Sequence, residues 1–143
     1  MNLSPHFTLA ELTFSDLAIR HGIDNTPNET TIARLGILAH GLEDVRDLLG
    51  APVLISSGYR SLVLNALLKS SPTSAHVLGY ASDFKSPAFG SPLKVAQAIS
   101  GSGIEFDQLI YEFGSWVHLS FDPRMRGERL TIDQTGTRRG IIA

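Results

Sequence analysis

The stretch Ser74-Ala75-His76-Val77-Leu78-Gly79-Tyr80-Ala81-Ser82-Asp83-Phe84 sets a histidine seven residues ahead of an aspartate, with Gly79 between them to let the backbone turn. His76 lies in a loop of small and polar residues, and Asp83 opens onto the apolar Phe84. Both side chains can therefore project from backbone held at one edge of a sheet. A second histidine follows in Trp116-Val117-His118-Leu119, a stretch that reads as a strand. Imidazole, carboxylate and imidazole suit zinc, and three protein ligands leave a fourth position open for water. Magnesium and calcium prefer shells of oxygen. The spacing alone is weak, because a chain with five histidines and fourteen acids contains such a pair by chance; the setting of the two residues carries the reading.

Upstream, Val53-Leu54-Ile55-Ser56-Ser57 reads as a buried strand that delivers Gly58, Tyr59 and Arg60 to a sheet edge. From the residues alone Arg60 is a solvated loop residue. Ser61 is expected to cap a short helix whose Leu62, Leu64, Leu67 and Leu68 hold that loop against the core. Ser70 to Ala75 has turn composition, and Ser74 fits a turn serine bonded to local backbone. Downstream, Ser91 and Pro92 start a packing helix with Leu93, Ala96 and Ile99, which Gly101 and Gly103 end. Glu105 to Phe113 and Trp116 to Phe121 read as a hairpin. A two-residue turn of Gly114 and Ser115 would set Glu112 opposite Val117, facing away from His118. A three-residue loop of Gly114, Ser115 and Trp116, or a bulge, pairs Glu112 with His118 on one face.

Taken in order, Ser56-Ser57-Gly58-Tyr59-Arg60-Ser61, Ser74-x-His76, Gly79-x-Ala81-x-Asp83 and Glu112 with Trp116-x-His118 resemble the motifs of a zinc peptidase family. It is the family of D-alanyl-D-alanine carboxypeptidases and L-alanyl-D-glutamate endopeptidases, and the likeness is nearest to its short phage-associated members. Phe7-Thr8-Leu9-Ala10-Glu11-Leu12 and His21-Gly22-Ile23-Asp24-Asn25-Thr26-Pro27 are similar to that branch too, so the resemblance covers nearly the whole chain. It implies a Hedgehog/DD-peptidase-like fold with zinc on His76, Asp83 and His118. Arg60 would bind a carboxylate of the peptide substrate, a role its planar guanidinium suits, and Ser74 would lie beside the substrate's terminal group. Glu112, six before His118, matches the acid/base of related branches. Some members instead place the acid three before the last ligand, where this chain has Ser115, and another branch has a histidine where this chain has Trp116. The implied function is a zinc metallopeptidase cutting peptide stems of bacterial peptidoglycan, as a phage lysis enzyme or a virion-associated wall hydrolase. Carboxypeptidase and endopeptidase members share the metal motif. The alternative is a non-catalytic zinc-containing wall-binding or virion structural module, since the Hedgehog signalling domain is similar and uses its zinc site for structure or binding.

The rest of the chain is scaffold. Thr8 to Glu11 forms a capping box, with Phe7 and Leu12 as its hydrophobic staple. A second helix runs from Ser15 to His21 and stops at Gly22. Thr26, Pro27 and Glu29 start a long helix with Ile32, Leu35, Leu38, Leu42, Val45 and Leu49 on its packing face, ending at Gly50 and Pro52; His40 falls off that stripe. Residues 1–143 fit one domain, and 43% hydrophobic with 18% charged residues is a globular composition. A net charge of -2 gives no footprint for nucleic acid. Without cysteine, any zinc must be held by nitrogen and oxygen. No signal peptide and no membrane-inserting segment are read, so synthesis in the cytoplasm is expected, with delivery to the wall by other means. The tail from Pro123 carries five arginines and a strand over Arg129 to Ile132, expected to close over one sheet edge. The expected class is α+β: a small, mostly antiparallel sheet from about Val53, Tyr80, Phe106 and Trp116 onward, helices on one face, and the metal on the other.

Overall fold

A computed structural model describes residues 1–143. Thr8 opens α1 (Leu9–Thr13) through the expected capping box: its hydroxyl accepts from the Glu11 N–H, and the Glu11 carboxylate accepts from the Thr8 N–H. Ser15 caps α2 (Asp16–Arg20). The long helix α3 (Glu29–Leu49) is capped by Asn28 and not by Thr26. Asn28 Oδ1 accepts from the Thr31 N–H, whereas the Thr26 N–H is turned to the Asp24 carboxylate. Leu35, Leu38, Leu42, Val45 and Leu49 line its buried stripe, but Thr31 takes the covered place and Ile32 is only half-buried.

Six strands follow: β1 (Leu54–Ser57), β2 (Ala81–Lys85), β3 (Gln108–Glu112), β4 (Trp116–Ser120), β5 (Glu128–Asp133) and β6 (Gly136–Arg139). They lie in the order β1-β2-β4-β3-β5-β6, antiparallel except where β5 runs parallel to β3. The sheet is thus mostly antiparallel, as expected, with one parallel seam. The tail forms the strand read there and adds β6 beyond it. Between the strands lie α4 (Leu62–Leu67), α5 (Ala75–Leu78) and α6 (Pro92–Ser100).

Side chains alternate across the sheet. Phe84, Leu109, Val117 and Leu119 face one way and pack with α3 and α6 into a cluster that includes Leu38, Leu42, Val95 and Ile99. Asp83, Ile110, Glu112 and His118 face the other way. Two packing expectations fail. β1 is an edge strand with Leu54 exposed, because only β2 pairs with it. On α4 only Leu64 is buried among the leucines, and Leu62, Leu67 and Leu68 are exposed. Asn65 is the other buried residue of that helix.

Candidate metal centre

Asp83 on β2 and His118 on β4 are direct cross-strand partners, so the ladder itself brings carboxylate and imidazole together. His76 arrives from α5, which Ser74 caps by accepting from the His76 N–H. Gly79 ends α5 at φ +87, a conformation L side chains rarely take, and turns the chain directly into β2. Asp83 Oδ1 lies 3.0 Å from His118 Nδ1 and 3.2 Å from His76 Nε2. The three ligand atoms fall within 4.8 Å of one another, and all three residues are buried.

The donor set fits a tetrahedral zinc ion. Bonds of ~2.0–2.1 Å give a tetrahedron with edges of about 3.3 Å, close to the two separations above. The tautomer fits as well. His76 Nδ1 donates to the Gly58 carbonyl at 2.8 Å, which leaves the Nε2 lone pair facing Asp83. Burial pushes the His76 imidazolium down, against the pull of Asp83, and so favours the neutral ring that binds metal. Burial would raise Asp83, but the charge and N–H groups of the neighbouring His76 and His118 rings, when protonated, outweigh it and hold the carboxyl well below its usual range. Asp83 Oδ2 accepts from Arg60 Nη2 at 3.4 Å, while Arg60 Nε donates to Ser57 Oγ at 3.1 Å. A bulge in β1 between Ile55 and Ser57 precedes that contact.

The hairpin loop has the odd length that a same-face Glu112 demands, in a different register. Phe113, Gly114 and Ser115 form the loop, so Glu112 pairs with Trp116 and Ile110 with His118. Glu112 therefore sits diagonal to His118 on its face, not opposite it. The turn needs positive φ at both Phe113 (52°) and Gly114 (63°). A non-glycine residue rarely adopts this, and the sequence gives no sign of it. Glu112 is half-buried; burial first, and then the Asp83 charge, raise its pKa against the opposing pull of His118 and Arg60. Arg60 lines a groove of about 310 Å³ whose walls include Phe14, Leu17, Tyr59, Leu64 and Leu68.

A family model described as peptidase M15 matches residues 5–120. The chain belongs to the peptidase M15 family. The match spans His76, Asp83 and His118 and ends with β4, so β5 and β6 lie beyond it. A search of curated proteins finds no match. M15 peptidases are zinc-dependent with a Hedgehog/DD-peptidase-like fold, and the α+β sheet and His-Asp-His set of this M15 peptidase agree with both. Membership implies metallopeptidase activity.

Three residues around the M15 site escaped the sequence reading of function. Gly58 supplies the carbonyl that orients His76, and a Cβ there would collide with the Leu12 carbonyl oxygen. Asn65 donates to the Ser71 carbonyl at 2.8 Å and so ties down the loop that leads to His76. Its one outward sign is a polar residue among the leucines of α4. Asn25 stood only within the stretch His21 to Pro27 that resembles the short phage-associated branch, with no role of its own.

Proposed function

We propose that the protein hydrolyses peptide bonds in the stems of bacterial peptidoglycan, with His76, Asp83 and His118 as zinc ligands and Glu112 as acid/base. The observation that supports this is the convergence on one sheet face of the three ligands with Glu112, and with Arg60 against Asp83. A zinc ion held there would polarise the scissile carbonyl and lower the pKa of a water. Glu112 takes a proton from the attacking water and returns it to the leaving amine as the C–N bond breaks. Its raised pKa suits a group that must do both. Arg60 recognises a substrate carboxylate: Nε and Nη2 are engaged by Ser57 and Asp83, and Nη1 makes no hydrogen bond within the protein. Ser74, beside His76, contacts the substrate's terminal group. The resemblance of the N-terminal motifs to short phage members supports a lysis enzyme or virion-borne hydrolase acting on the wall.

The test is mass spectrometry of purified peptidoglycan fragments after incubation with the protein, with and without chelator and with zinc restored. Chelator-sensitive release of D-alanine is the carboxypeptidase outcome. Separated L-alanine and D-glutamate ends are the endopeptidase outcome. No product from folded, zinc-loaded protein would refute the peptidase reading and favour a binding module.

A further inference from the structure

Both peptide groups that flank Arg60 are gripped by one side chain from a distant part of the sequence. Asn25 Nδ2 donates to the Tyr59 carbonyl at 3.1 Å, and Asn25 Oδ1 accepts from the Ser61 N–H at 2.8 Å. The same Nδ2 donates to the Thr13 carbonyl at 2.8 Å, one of the carbonyls that α1 leaves over at its C-terminal end. The neighbouring Leu12 carbonyl accepts from the Tyr59 N–H at 2.8 Å, and the Arg60 N–H donates to the His76 carbonyl at 3.1 Å. Residues 58–61 are thus held between α1, Asn25 and α5.

Only a carboxamide supplies this pattern in one short side chain, since it offers two N–H donors and an acceptor in one plane. Aspartate, of the same shape, would turn acceptors toward the Tyr59 and Thr13 carbonyls. Stability alone does not call for a clamp on both sides of one residue. The residue clamped is the one whose guanidinium reaches Asp83 Oδ2 and that lines the groove. Displacement of a long side chain's root by about 1 Å moves its head by at least as much, enough to cost two orders of magnitude where orientation matters.

We propose that Asn25 is a positioning residue for Arg60: it fixes the backbone of the 58–61 loop so that the guanidinium can meet Asp83 and a substrate carboxylate together. This rests on the reading of Arg60 as the substrate-carboxylate site. It also assigns the N-terminal helices a part in the reaction, because Asn25 anchors the loop to α1.

The test is a double-mutant cycle on the zinc-loaded full chain with Asn25→Ala, Arg60→Ala and the double variant, assayed on a peptidoglycan stem peptide. Asn25→Ala should lower kcat/KM about tenfold or more without changing zinc content, and the double variant should be no worse than Arg60→Ala alone. Losses that multiply would show a general structural role and overturn the proposal. Amide hydrogen exchange gives a second readout that needs no turnover. Asn25→Ala should speed exchange at Arg60 and Ser61 about tenfold or more and leave the β2–β4 ladder unchanged. If the wild-type protein cleaves nothing, the peptidase reading falls, and the exchange data still decide: faster exchange at Ser61 upholds the clamp, and unchanged exchange overturns it.

Discussion

The Glu112 carboxylate has no hydrogen-bond partner within the protein, yet the residue is half-buried on the face that carries His118. Burial raises its pKa above the ordinary 4.5, so its charged form is disfavoured in the folded chain. The sign follows from linkage: a carboxyl whose folded pKa is raised costs stability once pH exceeds its unfolded pKa. Glu112→Gln should therefore melt at the same temperature as wild type or higher at pH 7. The same variant should lose hydrolysis by about 10²–10⁴-fold while retaining zinc, measured by steady-state kinetics beside metal analysis. In the wild type, kcat/KM should rise with pH through the raised Glu112 pKa, and Gln should abolish that limb. At this scale the cluster of His76, Asp83 and His118 was legible because histidine and aspartate announce their chemistry. Asn25 and Gly58 were not, because each acts through contacts that sequence spacing hides: Asn25 reaches Tyr59 across 34 residues, and Gly58 is defined by the room it leaves beside Leu12.

Among the elements, α1, α3, α6 and the β3–β4 hairpin could be read from caps and periodicity, since those signals are local. Errors fell where tertiary position decides. β1 reads as an apolar run but lies at an edge, and the leucines of α4 look like a packing face but remain largely in solvent. The C-terminal hairpin depends on a contact that composition does not betray. Asp107, with its side chain only 1% exposed, accepts from Arg126 Nε at 2.8 Å, Nη2 at 2.9 Å and the Arg126 N–H at 3.1 Å. The Arg126 hydrogen bond holds its pKa below 3.8. A carboxyl depressed in this way contributes stability that is present above its unfolded pKa and lost as pH falls through the folded one. Asp107→Asn should cost about 1–2 kcal/mol at pH 7, discounted because Arg126 is partly solvated. Urea titrations should show the gap from wild type closing as pH drops below 3.8.

For the whole molecule, a zinc ion on His76, Asp83 and His118 would be a tie between segments distant in sequence, one helix and two strands. An ion that binds only the folded state stabilises it by about 2.7 kcal/mol at a hundredfold excess over Kd, which corresponds to a rise in Tm of roughly 10 °C. Calorimetry should show that rise on adding zinc, its loss with chelator, and its absence in His76→Ala. No helix is long and apolar enough to cross a membrane. The α+β class was legible as a whole because ordered motifs constrain which strands must be neighbours. The parallel β3–β5 seam was not, since nothing local in the tail specifies which edge it joins.

That seam has a consequence for variation. Along it Glu112 pairs with Ile132, and the Phe113 N–H donates to the Ile132 carbonyl at 2.7 Å, at the start of the strained turn beside the acid. Ile132 lies outside the stretch matched to the family. The tail therefore works as a tuning peg: substitutions there can retune the pitch of Glu112 while His76, Asp83 and His118 stay untouched.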